Sequence, residues 1–404
     1  MIHIKKLILS VLHNTLPTLA PGMENKQVLI ISFWNPTEEN PEKGIFIQDQ
    51  AAAVCSLGEN IVFLQINILP SSRIFLKKTV EESAFFNNTR ITINFYSRLW
   101  KFLYINPWWS ARAIHRIIKK RGDEINPAII HANVIYPCGI AGYLIARRTG
   151  ARLLISEHWS KAEKLLKHPL YKRTALKAYR HSFAIICVSE FLSRKITMAT
   201  GHTFPVVIPN IINTGLFTYI PKPSAENMTL CFLCVASSWR PPKRLDLIVD
   251  ALCSFALETN RQIVLSVVGK GMQVDKLKKR IPPENLHIKW LGYLDKPNIA
   301  DLLHTTDIFI HASDIETFSI VTAEALSTGT PVIVSDTGAL PELINDDNGI
   351  QVENCPESWS NGIREIVTRQ FDHEAIARRI HNKYSSHEVG STILSLYNKS
   401  LKSV

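Results

Sequence analysis

The sequence predicts an α/β protein with two Rossmann-like domains, and two observations support this fold class. The chain has 404 residues, of which 46% are hydrophobic, so it is long enough for two domains of ordinary size. Short apolar runs such as 27–33, 128–133 and 307–312 alternate with longer segments that have the apolar spacing of helices. Buried parallel strands joined by helices produce this alternation.

The stretch 307–344 says most about function. Its apolar runs 307–312 and 331–335 are predicted to be neighbouring strands, and the helix between them begins near Ser319 and ends before Gly329. The first backbone N–H groups of such a helix have no partner within the helix and carry a partial positive charge. They can therefore bind a diphosphate, and the stretch predicts a nucleotide site.

Two glutamates flank the start of that helix. Glu316 lies in the loop before it, and Glu324 lies eight residues further on, inside the helix. The N–H groups around Phe318, Ser319 and Ile320 are expected to meet the diphosphate. Glu324 has two acceptor oxygens and is expected to take both hydroxyls of a ribose, while Glu316 is expected to face a sugar.

Nine residues of this stretch match the pattern E-x-F-G, E-A, G-x-P-V and G-G-x-x-E. They are Glu316, Phe318, Glu324, Ala325, Gly329, Pro331, Val332, Gly338 and Glu342. The sequence departs from the pattern at Ser319 and Thr337, where glycine is usual, and both replacements are small. On these residues the chain resembles the retaining glycosyltransferases of family 4, the group 1 glycosyl transferases with the GT-B fold.

The resemblance implies two Rossmann-like domains that face each other across a cleft, with the donor in the second domain and the acceptor in the first. It implies an N-terminal extension at 1–25, an acceptor domain at 26–212, a donor domain at 213–384 and a final helix at 385–404 that crosses back to the first domain. The implied reaction moves a sugar from a nucleoside-diphosphate sugar to a glycan or lipid-linked acceptor with retention of configuration. Neither a cofactor nor a metal is expected.

Three further residues of the second domain follow from the resemblance. Lys243 matches a lysine that binds the donor phosphates in the family. Ser237 and Ser238 stand where the family has glycine and arginine, so Arg240 is the candidate for the missing cation, or else an ordinary surface residue. Gly269 ends a predicted strand, in a loop that flanks the nucleotide base in the family.

In the first domain, four residues are expected at the acceptor side of the cleft. Gly44 precedes the first helix, where the family has a glycine close to the substrates, although a simple helix start explains it equally well. Glu157 and His131 lie at the carboxyl ends of predicted strands, where open α/β sheets carry function. The resemblance makes His158 the active-site histidine, and His131 is expected to lie behind it.

The net charge of +11 is concentrated in the first half of the chain. Up to Asn213 there are 27 Lys and Arg against 13 Asp and Glu, and after it 19 against 22. Segments 90–121 and 161–180 mix basic residues with aromatic or leucine side chains, which predicts attachment to an anionic membrane surface. The alternatives are aromatic packing inside the domain for the first segment and a solvated face for the second. No nucleic-acid motif accompanies the charge.

The cysteine content and the apolar runs indicate the cellular compartment in which the protein is expected. Seven scattered cysteines favour a reducing compartment, and Cys231 and Cys234 are expected to be core residues of one strand. The longest uncharged stretch, 125–146, is interrupted by polar residues, glycine and proline and is not predicted to span a membrane. Residues 1–22 resemble a signal peptide only weakly and are either an upstream-start artefact or a surface-seeking helix. We therefore expect a cytoplasmic protein at the inner face of the membrane.

Two rival functions remain open from the sequence. One is a sugar-nucleotide epimerase of the same fold, which the paired glutamates make less favoured. The other is a non-catalytic protein that binds an anionic surface. The sequence identifies neither the sugar and base of the donor nor the acceptor.

Overall fold

The computed structural model describes residues 27–37, 42–72, 77–86, 88–101, 106–122, 125–201, 205–221 and 229–402. The predicted extension at 1–25 lies outside these residues. The described chain folds into two α/β domains, each built on one sheet. Alternate residues of the first strand enter different hydrophobic cores, Leu29 and Ile31 on one face and Val28 and Ile30 on the other. Both faces of that strand are therefore covered, as in a Rossmann-like domain.

The first sheet has its strands in the order β3-β4-β2-β1-β5-β6-β7-β8, and only the edge strand β3 is antiparallel to its neighbour. Its strands are β1 (Gln27–Ser32), β2 (Ile61–Pro70), β3 (Lys77–Phe85), β4 (Asn88–Ser97), β5 (Pro127–Asn133), β6 (Arg152–Glu157), β7 (Ala184–Cys187) and β8 (Val206–Val207). Helices of this domain are α1 (Ile45–Ser56), α2 (Pro107–Arg121), α3 (Ile140–Thr149), α4 (Ala162–Lys167), α5 (Lys172–His181) and α6 (Glu190–Thr200).

The second sheet has the order β11-β10-β9-β12-β13-β14, and its pairings are parallel. Its strands are β9 (Thr229–Ser238), β10 (Gln262–Lys270), β11 (Leu286–Gly292), β12 (Ile308–His311), β13 (Val332–Ser335) and β14 (Gly349–Val352). Helices after β9 are α7 (Leu245–Glu258), α8 (Met272–Leu277), α9 (Lys296–His304), α10 (Ile320–Ser327), α11 (Pro356–Ile366), α12 (His373–Tyr384) and α13 (Ser386–Lys402).

Both sheets reverse their strand order beside their first strand. The reversal lies between β1 and β5 in the first sheet and between β9 and β12 in the second. Ligands of open α/β sheets bind outside the carboxyl ends of the strands at such a point. The fold thus confirms the predicted pair of Rossmann-like domains and gives each domain one place for a ligand.

Side-chain caps fix the starts of several helices. Ser189 Oγ accepts the Leu192 N–H at 3.2 Å at the start of α6, and Asp295 Oδ1 accepts the Asn298 N–H at 3.1 Å at the start of α9. Such caps supply acceptors to N–H groups that the helix itself leaves free. The short polar residues that end the loops therefore set where these helices begin.

Segments 90–121 and 161–180, which the sequence predicted to lie at a membrane surface, differ in structure from that prediction. Segment 90–121 begins as strand β4 and ends as helix α2, and residues 102–105 lie outside the described part. The Trp109 ring packs edge-on against Phe95 with centroids 4.6 Å apart, and Trp108 stacks on Tyr171. Segment 161–180 forms two short helices, α4 and α5, and not one amphipathic helix. Phe95, Trp108 and Trp109 of the first segment thus pack within the domain.

The last helix, α13, packs against α1 of the first domain. Gly390 lies so close to Ala53 that an added Cβ would meet the Ala53 side chain at 3.0 Å. Tyr397 is buried in the same core as residues of β1 and β5. Among the described helices, none is both long and apolar enough to cross a bilayer.

Candidate active site

A cavity of about 270 Å³ lies between the domains at the carboxyl ends of β9 and β10. The first domain contributes Glu42, Ile45 and Phe46 to its wall. The second domain contributes Val235, Ala236, Ser237, Val268, Gly269, Tyr293, Leu294, Lys296, Ile299, Ile320, Val321 and Glu324. Apolar walls with a few charged groups are typical of a small-molecule site. Three of the predicted donor-binding residues, Gly269, Ile320 and Glu324, are among these lining residues.

Glu316 lies four residues before Ile320 of the cavity wall and forms a cluster with Lys243 and His311. Lys243 Nζ donates a hydrogen bond to Glu316 Oε1, and His311 Nε2 lies 2.9 Å from the same oxygen. Burial by itself raises the pKa of Glu316, but Lys243 and His311 outweigh burial and hold this pKa at about 2. Burial and the charge of Lys243 lower the pKa of His311, so its ring is neutral at neutral pH. Glu316 is therefore an ionised carboxylate that holds the predicted phosphate-binding lysine.

Helix α10 starts at the predicted place, with Ser319 as the residue before its first turn. Ser319 has a φ of 72°, in the left-handed region that glycine adopts readily and other residues rarely do. Its Oγ lies 2.8 Å from Thr322 Oγ1. The Phe318 side chain is buried and packs edge-on against Tyr384, so only its backbone is available to a ligand. The serine thus preserves the turn that the family makes with glycine.

Glu324 lies inside α10 and its side chain is only 3% exposed. Its Oε1 is 3.0 Å from Lys296 Nζ at the start of α9. Burial raises the pKa of Glu324, Lys296 lowers it, and the nearby Glu42 and Asp49 raise it again, with a net rise. The predicted ribose ligand is therefore a buried carboxylate in an ion pair with a lysine.

Gly269 and Arg240 differ sharply in their surroundings. Gly269 has a φ of 114°, and an added Cβ would lie 1.8 Å from the Ala236 carbonyl oxygen, so only glycine fits between β9 and β10. Arg240 is exposed on the loop after β9. The structure places Gly269 in the wall of the cavity and leaves the Arg240 side chain in solvent beside Lys243.

His158 lies on the first-domain side of the cleft. Its ring packs on Phe46, a residue of the cavity wall, with centroids 4.4 Å apart. The pKa of His158 is lowered to about 3. Burial is the main cause, the nearby His131 also lowers the pKa, and Asn210 partly offsets both. Within the described residues, no hydrogen bond of normal geometry reaches either ring nitrogen. His158 is thus a neutral, nearly buried ring that packs against the cavity wall.

The other three residues predicted for the acceptor side serve the framework of the first domain. Gly44 has a φ of 71°, and an added Cβ would lie 2.0 Å from the Trp34 carbonyl oxygen. The nitrogens of His131 lie 2.6 Å from Tyr397 Oη and 2.6 Å from Ser156 Oγ, so its hydrogen-bonding capacity is used inside the protein. Neither His131 nor Glu157 lines the cavity, and both are buried.

Glu157 is fully buried and has no cationic partner among the described residues. Its Oε1 accepts the Ile135 N–H at 2.7 Å and the Tyr179 hydroxyl at 2.8 Å. Burial raises its pKa to about 8, although both hydrogen bonds lower it. At neutral pH this side chain is largely a neutral acid.

Three residues that sequence reasoning did not assign to the site take part in its geometry. His311 contacts Glu316, and its signal was a polar residue at the end of the apolar run IFIH. Lys296 contacts Glu324, and its signal was a cation in the first turn of a helix, where the dipole disfavours it. Glu342 belongs to the matched pattern, but its role across the domains was not foreseen. Its two carboxylate oxygens accept the N–H groups of Glu190 at 2.8 Å and Phe191 at 2.6 Å, at the start of α6.

Comparisons with known proteins agree with this architecture. Residues 218–384 match the family model described as glycosyl transferases group 1, and residues 75–216 match the model described as glycosyltransferase family 4. In structure, the chain is similar to a sucrose-phosphate synthase from Thermosynechococcus elongatus. The TM-score is 0.70 at 16% identity, over 94% of this chain and 100% of that one. At this identity the structural likeness shows the fold alone.

Two curated proteins are similar in sequence. A GDP-mannose-dependent alpha-(1-6)-phosphatidylinositol dimannoside mannosyltransferase of Mycobacterium tuberculosis is 27% identical over 47% of this chain and 50% of its own length. The chain thus spans about half the length of that relative. An N-acetyl-alpha-D-glucosaminyl L-malate synthase of Bacillus anthracis is 23% identical over 79% of this chain and 88% of its own. The two family models, the paired sheets and the Glu316–Glu324 block agree: the chain belongs to the group 1 glycosyl transferases of the family 4 type and has the GT-B fold.

Proposed function

We propose that this chain transfers a sugar from a nucleoside-diphosphate sugar to a glycan or lipid-linked acceptor, with retention of the anomeric configuration. The observation that carries the proposal is that Lys243 pairs with Glu316 in the loop before α10, while Ile320 and Glu324 of α10 line one interdomain cavity. They offer a cation and backbone N–H groups to a diphosphate, one carboxylate to the sugar and another to the ribose. The product is a cell-surface polysaccharide or a glycolipid.

Lys243 and Glu316 are partners in the donor-free arrangement. A diphosphate carries more negative charge than one carboxylate, so we expect it to attract Lys243 Nζ and to leave Glu316 facing the sugar. Positive charge develops at the anomeric carbon as the diphosphate leaves. Glu316 is ionised in the donor-free arrangement. A carboxylate that faces the sugar stabilises the developing charge in the transition state more than in the ground state.

His158 supplies the first-domain side of the reacting sugar. Its neutral ring can accept or donate one hydrogen bond at each nitrogen, and both nitrogens lack a protein partner of normal geometry in the described residues. A sugar hydroxyl is a matching group. Its role is therefore to fix the sugar against Phe46 and not to carry charge.

The function is tested with a panel of UDP-, GDP- and ADP-sugars, scored first for binding and slow donor hydrolysis and then with glycan and lipid-linked acceptors. NMR of the first-formed product should show the anomeric configuration of the donor. An inverted anomer would overturn retention. Formation of an epimer of the donor would identify an epimerase instead, and failure to bind or turn over every nucleotide would identify a non-catalytic protein.

We also propose that the reaction needs no divalent metal. Lys243, Arg240 and the start of α10 together can neutralise the diphosphate as it leaves. Full activity in excess chelator is expected. Loss of activity in chelator, with rescue by magnesium or manganese, would contradict this arrangement.

A third part of the proposal is attachment to the cytoplasmic face of an anionic membrane. Helices α4 and α5 present exposed lysines, among them Lys164, Lys167 and Lys172, around the exposed Leu170 in the turn between them. Each base near an anionic surface contributes about 1 kcal/mol of attraction, and salt weakens it.

Vesicle co-sedimentation tests this attachment. Anionic phosphatidylserine vesicles should retain the protein at low salt, and neutral phosphatidylcholine vesicles should not. Changing Lys164, Lys167 and Lys172 to Glu should abolish retention. The matched control changes Lys276, Lys278 and Lys279, which are equally exposed in the second domain, and should leave retention intact. Equal retention on both vesicle types would rule out the electrostatic attachment.

A further inference from the structure

Lys296 is the first residue of α9, and its side chain enters the interdomain cavity. Its Nζ lies 3.0 Å from Glu324 Oε1. A lysine is unfavourable in the first turn of a helix because the helix dipole is positive there, and Asp295 already caps this helix. The local structure of α9 therefore does not explain this lysine, whereas the buried carboxylate that it contacts does.

Glu324 needs such a partner. A carboxylate this deeply buried is costly to keep ionised without a cation or hydrogen bonds. The charged groups that act most strongly on it are Lys296 from α9, Glu42 from the loop before α1 and Asp49 from α1. Two of these three are acids and favour the protonated form. Lys296 is thus the one cation among these groups that opposes burial and two negative charges.

The contact also leaves Glu324 free to bind a ligand. A carboxylate has about four lone-pair positions on two oxygens, and Lys296 occupies one of them on Oε1. The remaining positions suit two neighbouring hydroxyl groups, which must donate their hydrogens to an ionised acceptor. A protonated Glu324 would offer one donor and fewer acceptors, and it would fit such a diol poorly.

We propose that Lys296 is a positioning residue for the donor, which keeps Glu324 ionised and oriented toward the two hydroxyls of the ribose. This inference rests on the proposed function, in which Glu324 binds that ribose. It adds a residue outside the matched pattern and ties donor affinity to pH. Asp49 and Glu42 of the first domain also act on Lys296. Together with Glu324 they raise the pKa of Lys296, whereas burial lowers it.

The test measures binding without catalysis. UDP, GDP and ADP are compared by calorimetry, and the tightest is then titrated against its 2′-deoxy analogue from about pH 6 to pH 9. The wild-type protein should prefer the ribonucleotide. In Lys296→Met, affinity for the ribonucleotide should fall about tenfold near neutral pH and recover toward alkaline pH, as Glu324 ionises. The preference over the deoxynucleotide should shrink and recover in parallel.

Lys296→Arg is the conservative variant and should behave like wild type, because it keeps the cation. A lysine that only supports folding would give a loss that does not change with pH, and that result would overturn the inference. If Lys296→Met folds poorly, the comparison moves to a Glu324→Gln background, where Glu324 can no longer ionise. There Lys296→Met should add no further loss of affinity, and an undiminished further loss would also overturn the inference.

Failure of the inference and failure of the proposed function give different results. If Glu324→Ala binds the ribonucleotide as tightly as wild type, the proposed role of Glu324 is wrong and the inference falls with it. If Glu324→Ala loses affinity while Lys296→Met keeps the wild-type pH dependence, only the role of Lys296 is wrong.

Discussion

The carboxyl edges of the two sheets handle charge in opposite ways. In the second domain the acids stand in ion pairs, Glu316 with Lys243 and Glu324 with Lys296. In the first domain, burial pushes each group toward its neutral form, with the pKa of Glu157 raised to about 8 and those of His131 and His158 lowered to about 4 and about 3.

Under the proposed function, this difference fits the chemistry of the donor and of the acceptor. A nucleoside-diphosphate sugar carries charge that changes during the reaction, so its site needs fixed charges of both signs. An acceptor hydroxyl is neutral, and a neutral edge can recognise it by hydrogen bonds alone. Under the proposed function, two domains of one fold would thus meet charged and neutral substrate groups with different electrostatics.

Among the variants that test this comparison, Glu316→Gln should have the largest effect on turnover. Glu316→Gln keeps the shape but removes the negative charge, so turnover at saturating donor should fall roughly 100- to 1000-fold while donor affinity changes little. Initial rates over a range of donor concentrations measure both quantities. Glu284→Gln alters an exposed glutamate of the same domain and should keep wild-type rates. Unchanged turnover in Glu316→Gln would remove this carboxylate from the mechanism.

The buried, neutral His131 of the first domain should make the free energy of unfolding depend on pH in the acid range. The folded pKa of His131 is about 4, below the 6.5 usual for histidine, because burial disfavours the charged ring. The unfolded chain therefore takes up a proton first as pH falls, and stability is lost between about pH 6.5 and pH 4, by on the order of 3 kcal/mol. His131→Phe should remove this part of the pH dependence.

Urea unfolding at a series of pH values measures that change. His131→Phe also removes hydrogen bonds to Tyr397 and Ser156, so we expect a lower stability at neutral pH, and only the slope against pH tests the titration. The exposed His287 is the matched control, and His287→Phe should keep the wild-type slope. An unchanged slope in His131→Phe would show that His131 has the same pKa in the folded and unfolded protein.

The smallest expected effect concerns the contact that joins the two domains. Glu342 caps the start of α6, so Glu342→Ala removes a charged acceptor from two N–H groups and should cost about 1 kcal/mol of the closed arrangement. X-ray scattering should show a larger radius of gyration in the variant, and Glu342→Gln should give an intermediate value. Identical scattering profiles would show that other contacts hold the domains together.

The sequence predicted the second domain better than the first, for physical reasons. Strands β12 and β13 are buried at every position and form short apolar runs, so they were expected close to their observed bounds. Strand β3 was missed because KKTVEESAF lies at an exposed edge and shows no apolar face in most positions. An edge strand of this kind has no periodic signal for sequence reasoning to detect.

The candidate site shows the same limit. Glu316 and Glu324 were identifiable because a helix start between two strands constrains residue types at fixed spacing. The partners His311 and Lys296 come from other elements, so their contacts depend on tertiary packing that no local pattern encodes. The burial of Glu157 depends likewise on Tyr179 and Ile135, which are distant in sequence.

At the start of helix α10, Ser319 has a different free-energy cost of folding from the glycine that is usual in the family. A serine at a φ of 72° is less stable by roughly 1–2 kcal/mol than the same residue in an ordinary backbone region. The unfolded chain, however, has fewer conformations to lose at serine than at glycine. The turn therefore carries backbone strain, but it loses less conformational entropy when it becomes ordered. Ser319→Gly should relieve the strain but leave the turn before α10 more mobile.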